Sequence, residues 1–591
     1  MYIINMELNY SEILKNQPIF NIGSIGHVAH GKSTLVRSIT GIRTQKHSDE
    51  QERNITINIG YANSKVFMDK FGNYHTAPSK KESMKDYTGD EMKLVGHISF
   101  VDVPGHEAFM SNMISGSAVM NACILVIASN ENIPQPQTYE HFEAVKNIDI
   151  DKFIILQNKV DLIEESENKK VLNDIQYFIK NTVAENAPII PSSIQNDINR
   201  EEILNHIISL SSNENIKALN EKANKDTHMI VIRSFDINRQ NTNYDKLTGG
   251  VVGGSLLTGN LKVGDYVEMR PGYIIGDKYR PIYAKINTLQ SDNKKLEYAL
   301  PGGLIGVCLD IDPSIAKNNG MVGQILGHVG KLPEVYNEIL VKYSEINRHD
   351  NFSGKFKQNE EVMLSINSMN IKAHVSSIKK SKLGFKLSKP VCVFEDQKIA
   401  IFKLNSFKWV LHATGEFING KTCESDNCEV NVLKELKDKN SFDEITIIND
   451  LDLEPKELLS YNELLDNVDF KIEQSISLRI DPPRVKKVNR DSVFTNYTSF
   501  IETVNKSAQE IKYDNYFIDF LKQESSTTCD ISKEGAVMRG NFRTKHIQSI
   551  IVKFFNKYKK CVTCNSFNSY LFKNNRNLYK KCLDCNSDYC I

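Results

Sequence analysis

Eight residues, Gly26-His27-Val28-Ala29-His30-Gly31-Lys32-Ser33, constrain this chain more than any other stretch. They fit G-x-x-x-x-G-K-[ST]. They follow an apolar run carrying Phe20, Ile22 and Ile25, and they precede a helix-like segment from Lys32 to Thr40. A strand, a glycine-bearing loop and a helix in that order is what a phosphate cradle requires. The glycines let backbone N–H groups turn toward a polyphosphate, and the helix N-terminus adds to the attraction. Lys32 is expected to reach the β- and γ-phosphates and the Ser33 hydroxyl to ligate Mg²⁺, with Thr34 completing the nucleotide-binding stretch.

Three further motifs follow in order. Asp102-Val103-Pro104-Gly105-His106 comes directly after the strand-like His97 to Val101. An aspartate there can hold Mg²⁺ through water, and a glycine can give its N–H to the γ-phosphate. Asn158-Lys159-Val160-Asp161 follows the strand-like Phe153 to Leu156. A carboxylate placed like Asp161 accepts both N1–H and the exocyclic amine of guanine, an arrangement adenine does not offer. Between these, Glu52-Arg53-Asn54-Ile55-Thr56-Ile57 sets Thr56 in a polar loop, where a second Mg²⁺-ligating hydroxyl is needed. Together the four motifs predict a site for GTP and Mg²⁺.

This order of motifs resembles the translational GTPases. The phosphate loop, with Ala29 where most of them carry aspartate, resembles the gamma subunit of translation initiation factor 2. Glu52 to Tyr61, Gln135 to Thr138, Ile232 to Asp236 and Gly249 to Gly254 agree with it, so the similarity runs from about Asn21 to about Gly420. The resemblance implies that His106 orients the water attacking the γ-phosphate. It also implies that Ser193-Ile194 is the guanine-side loop, which in the family usually reads Ser-Ala. Arg53 reads equally well as a surface residue or a phosphate neighbour, and no arginine finger is evident, so an activating factor in trans is expected. The family usually carries a cysteine-rich zinc knuckle before D-x-P-G, whereas Asp69 to Lys93 here contains no cysteine.

At 591 residues the chain needs several domains. Alternating strand and helix patterns predict an α/β GTPase domain over 21–212, after an N-terminal extension, 1–20. The polar stretch 213–226 reads as a linker. Short glycine-punctuated strands predict two antiparallel β-barrels, 227–333 and 334–424. An acidic linker is read over 425–454 and a docking helix over 455–475, with Leu458, Leu459, Leu464, Leu465 and Val468 at helical spacing. A small α/β domain, 476–558, and a zinc ribbon, 559–591, complete the chain. Cys561 and Cys564, then Cys582 and Cys585, form two C-x-x-C pairs seventeen residues apart, the spacing of a closed, structural Zn²⁺ site. This tail resembles the beta subunit of the same factor, through Tyr461 to Leu465, Pro482-Pro483, Gly540-x-Phe542 and the cysteine pairs. The lysine-rich blocks of the eukaryotic beta subunit are missing.

Lysine plus arginine balance aspartate plus glutamate at 73 each, so overall charge names no partner. Locally, Ser425 to Ser475 holds fourteen acidic residues against five lysines. Gly535 to Ile591 holds eleven basic residues against two aspartates, which suits a phosphate-rich partner such as RNA. The amino terminus does not read as a secretory signal, no apolar run approaches a membrane span, and paired cysteines fit a cytoplasmic metal site.

The expected function is a GTP-hydrolysing initiation factor that carries initiator methionyl-tRNA to the small ribosomal subunit, with GTP hydrolysis as the release switch. An alpha-like subunit of the factor is an expected partner. The alternatives are an elongation-type GTPase for a special aminoacyl-tRNA, or a non-cycling competitor of initiation factor 2.

Overall fold

The computed structural model describes residues 4–590 apart from 46–55, 57–58, 87–88, 107–108, 147–149, 211–212, 240–241, 244–246, 293, 347–353, 406–407, 427–442, 452–455, 457, 467–482, 489–490, 506–510, 526, 533–534, 562–568, 575–576 and 584–586. These residues fall into two compact units, Met1–Val468 and Asp469–Ile591.

The chain opens with strand β1 (Ile4–Asn9) and a helix, Tyr10–Asn16. The GTPase-like sheet then uses β2 (Phe20–Ile25), β3 (Gly60–Met68), β4 (Tyr74–Pro78), β5 (Lys93–Asp102), β6 (Ala122–Ala128), β7 (Phe153–Asn158) and β8 (Ile189–Ser192). Their order is β4-β3-β5-β2-β6-β7-β8, and pairing is parallel from β5 to β8. Central parallel strands are covered on both faces and therefore read as unbroken apolar runs. β6, Ala-Cys-Ile-Leu-Val-Ile-Ala, is buried at every position. Its alternate side chains serve opposite faces: Cys123, Leu125 and Ile127 join one core, and Ala122, Ile124 and Val126 the other.

The turn of the β3–β4 hairpin and β4 itself fall in the cysteine-free stretch Asp69 to Lys93. Asp69 organises its turn, accepting from the Phe71 and Asn73 N–H groups at 2.9 and 2.8 Å and from His75 at 3.0 Å. Burial alone would raise this carboxyl, yet these donors hold it below the ordinary carboxylate range.

Two antiparallel barrels follow. In the first, Tyr266–Ile275 pairs with both Lys278–Ser291 and Ile325–His328, closing a ring of six strands between His228 and His328. The second closes with Val335–Glu345 paired to both Lys382–Cys392 and Lys408–Thr422. Closure leaves no sheet edge to solvate, and each barrel packs its own core.

Three readings of the connecting segments are corrected. The stretch 213–226 is not a linker: Asn213–Ala223 is a helix that buries Ile216, Leu219 and Ala223. The acidic stretch 425–454 is not all linker either, because Asp443–Ile448 is a strand pairing in parallel with β1, Ile4 opposite Asp443 and Asn9 opposite Ile448. Asn220 and Asn224 of the adjacent helix clamp that strand's backbone. Each side chain both donates to and accepts from one residue, Ile447 (3.0 and 2.7 Å) and Ile445 (2.8 and 2.9 Å) respectively. The docking helix, expected near Pro455, covers 461–466 among the described residues, while 467–475 lie outside them. Ser460 and Glu463 form a capping pair there: the Ser460 N–H donates to Glu463 Oε2 at 2.8 Å and the hydroxyl to the same oxygen at 2.6 Å. Leu458 and Leu459 precede the helix and are exposed.

The second unit has a four-stranded antiparallel sheet between Val485 and Arg539 and the helices Tyr497–Asn505, Asp514–Ser525 and Thr544–Tyr558. Its core is aromatic, with Phe494, Phe500, Phe517 and Phe554 all buried. A three-stranded sheet, Ser569–Asn574, Asn577–Cys582 and Asp588–Cys590, closes the chain. Among the described residues no helix is long and apolar enough to cross a membrane.

Candidate functional site

The loops that leave the carboxyl ends of β2, β5 and β7 carry the phosphate loop, D-x-P-G-H and N-K-x-D, the loop after β8 carries Ser193-Ile194, and Thr56 lies just before β3. Open α/β sheets bind ligands at these strand ends. Gly26 has φ 138°, and a Cβ there would lie 2.3 Å from Val126 O. Gly31 has φ 109°, and a Cβ there would lie 2.5 Å from Asn158 Nδ2. Both positions therefore require glycine. Ala29, between them, also sits in the left-handed region at φ 64°.

Helix Lys32–Thr40 begins under the loop and points its N-terminus into it. Lys32 Nζ donates to Gly26 O at 2.8 Å and His27 O at 2.6 Å. Burial lowers its pKa to about 8, against the pull of the Asp102 carboxylate. A Cβ on Gly105 would lie 2.4 Å from that ammonium, so the D-x-P-G loop closes directly over Lys32. Val28 lies on the same side, its backbone N 3.1 Å from that Cβ position. His30 is buried, with Nδ1 3.1 Å from Val126 O and Nε2 3.2 Å from Glu131 Oε2. Burial is the larger influence and lowers the His30 pKa to about 4.

The oxygens suited to a hard cation also converge. Ser33 Oγ and Thr56 Oγ1 are 3.0 Å apart. Asp102 is fully buried, its Oδ2 accepting from Thr44 Oγ1 at 2.6 Å and its Oδ1 from Ser24 Oγ at 3.4 Å. Burial raises this carboxyl, with Thr44, Ser33 and Lys32 pulling the other way. Two hydroxyls beside a desolvated carboxylate form a donor set that fits Mg²⁺. The rest of the Glu52–Ile57 reading, Arg53 included, lies outside the described residues.

On the base side, Asn158 joins the loops: its Nδ2 donates to His30 O at 2.8 Å and its Oδ1 accepts from Ile194 N at 3.1 Å. Asp161 Oδ2 accepts from Asn196 Nδ2 at 2.9 Å, and the same amide reaches Ser193 Oγ at 3.1 Å. Lys159 adopts φ 62°, with Nζ 3.9 Å from Glu131 Oε1. Ile194 buries its side chain in the core with Leu35 and Ile203. His106 is half-buried, its ring 6.0 Å from that of Phe109. Thr34 follows in the first turn of the helix. Thr44 and Asn196 are not anticipated by the sequence reading, since each is remote in sequence from the carboxylate it orients.

Of the four expected zinc ligands, Cys561 and Cys582 are fully buried, and Cys564 and Cys585 lie outside the described residues. The Lys580 ammonium feels both buried thiols, while its burial lowers its own pKa. Cys561 precedes the hairpin and Cys582 ends it opposite Ser569, and both thiols act on the one lysine. Among the described residues no three His, Cys, Asp or Glu side chains converge.

Comparison with known proteins bears directly on this arrangement. The family described as "Elongation factor Tu GTP binding domain" matches residues 17–213. "Initiation factor eIF2 gamma, C terminal" matches 334–417, and a domain described as found in initiation factors 2B and 5 matches 470–588. The chain is 39% identical over 436 residues to eukaryotic translation initiation factor 2 subunit 3 of Drosophila melanogaster, covering 70% of this chain and 91% of that protein. It is 40% identical over 432 residues to the gamma subunit of Schizosaccharomyces pombe, covering 69% and 96%. A solved bacterial selenocysteine-specific elongation factor shares the fold at 21% identity and TM-score 0.53, covering 90% of this chain and 81% of that one. The chain belongs to the gamma-subunit family of translation initiation factor 2, a family of GTPases, and carries at its carboxyl end a domain of the kind found in initiation factors 2B and 5.

Proposed function

We propose that this chain carries initiator methionyl-tRNA to the small ribosomal subunit in its GTP form and releases it on hydrolysis. The observation that carries the reading is the convergence of the four motif loops, with Asn158 tying the phosphate side to the guanine side. In this reading Gly26 to Thr34 hold the phosphates, with Lys32 leaving the carbonyls of its own loop to meet them. Asn158, Lys159, Asp161 and the Ser193-Ile194 loop hold guanine. Ser33, Thr56 and Asp102 would hold Mg²⁺, which would neutralise phosphate charge there. His106 orients the attacking water, and a factor in trans supplies the missing positive charge. Thr56 and Gly105 sit on the loops that a γ-phosphate orders and its loss releases, which is how hydrolysis would change tRNA affinity. Cys561, Cys564, Cys582 and Cys585 would hold a structural Zn²⁺. Family membership further supports an alpha-like subunit as partner and a cytoplasmic place of work.

The test is binding of charged initiator tRNA with GTP and with GDP present. Tighter binding with GTP is expected, and equal affinity in the two states would overturn the reading. His106→Ala should lower GTP hydrolysis about 100-fold or more while leaving GTP affinity unchanged.

A further inference from the structure

The short helix at 461–466 lies on the GTPase domain beside β7, the strand that delivers the guanine motif. Its contacts form a relay. Tyr461 donates its hydroxyl to Gln157 Oε1 at 2.7 Å. Gln157, fully buried, donates through Nε2 to the Asn168 carbonyl and side-chain oxygens, both at 3.1 Å. Asn168, also buried, donates through Nδ2 to Val160 O at 2.9 Å. Gln157 immediately precedes Asn158, and Val160 lies between Lys159 and Asp161. The relay therefore starts on the residue beside Asn158 and ends on the backbone between Lys159 and Asp161.

A second arm reaches the other guanine loop. Asn199 Nδ2 donates to Leu464 O at 2.7 Å and to Pro191 O at 2.8 Å, two residues before Ser193. Leu464 is buried in the same core as Ile194, Ile203 and Ile207. The segment thus supports both loops, one by a chain of side-chain hydrogen bonds and the other by a shared asparagine.

We infer that Tyr461 is a positioning residue for guanine, so that seating of the segment that leads to the carboxyl-terminal domain and retention of guanine nucleotide are coupled. The inference rests on the reading of Asn158 and Asp161 as the guanine-binding pair. Without the phenol hydroxyl, Gln157 Oε1 is left buried without that donor. Its amide then has reason to turn, releasing Asn168 and with it Val160. Coupling runs both ways: bound guanine nucleotide tightens the segment as much as the segment tightens the nucleotide.

Fluorescent GDP and IDP release from the full chain tests this. IDP lacks the exocyclic amine that Asp161 would accept from. Tyr461→Phe is expected to speed GDP release about fivefold, the scale of one buried hydrogen bond, and to shrink the preference for GDP over IDP. Leu464→Ala, which loosens the segment without touching the relay, should shift both readouts the same way. GDP release unchanged in Tyr461→Phe, beside an Asp161→Ala chain that has lost its guanine preference, would overturn the coupling alone. A guanine preference that survives Asp161→Ala would overturn the site reading and the coupling with it. Equal weakening of GDP and IDP together with a lowered melting temperature would mean that Tyr461 serves only stability, and would overturn the coupling too.

Discussion

His97 lies on β5 beneath the helix Tyr10–Asn16, its Nδ1 donating to Leu14 O at 2.9 Å, and burial lowers its pKa to about 4. The unfolded chain, near 6.5 at such a residue, takes up a proton that the folded chain refuses. His97 therefore adds no pH dependence to stability above pH 7, and stability falls as pH drops from about 6.5 toward 4, by up to roughly 3 kcal/mol. Urea unfolding of the unaltered chain and His97→Asn at pH 7.5, 6 and 5 should show the variant losing less on acidification. At this scale the contiguous motifs are legible in sequence, because a phosphate loop or an N-K-x-D carries its spacing on its face. Thr44 and Asn196 are not. Each is a common polar residue made important by a partner 58 or 35 positions away, a choice the fold makes and no local spacing records.

Elements are legible where one principle dominates. Fully buried strands announce themselves as apolar runs, and glycine punctuation marks the barrels. The barrel strands Lys278–Ser291, Lys382–Cys392 and Lys408–Thr422 do not stand out, because long strands with one wet face dilute their apolar residues with lysine and threonine. Helix Asn213–Ala223 passes for a linker for a related reason: only Ile216, Leu219 and Ala223 mark its buried stripe, and the rest, the exposed Ala218 apart, is polar. Two of those polar residues matter, since Asn220 and Asn224 each exchange two hydrogen bonds with the strand Asp443–Ile448. Replacing both by alanine should cost about 2–4 kcal/mol, four bonds at roughly 1 kcal/mol each less some recovery by water. Hydrogen exchange at Ile445 and Ile447 would report it as faster exchange at those two amides first.

The boundary between the units falls at Val468, not at the end of the second barrel. The first unit therefore owns Ile445, Ile447, Leu451 and Leu464, all buried and all within a region that composition marks as connector and docking helix. A chain ending at Val468 should unfold like the first unit of the full protein. A chain ending at Asp426 should be less stable by roughly 6 kcal/mol or more, since four large apolar side chains lose their burial and their partners are laid bare. Urea titration of the two truncations distinguishes these outcomes. The pairing of β1 with Asp443–Ile448 has a further consequence, in time. Ile4 must wait for Asp443, and at about 5–20 residues per second the stretch between them takes roughly 20–90 s to make. Throughout it the nascent chain would hold β1 without its neighbour and, once Asn213–Ala223 is made, a helix face without its cover. Newly started chains are then the ones with most need of a holding chaperone at the ribosome.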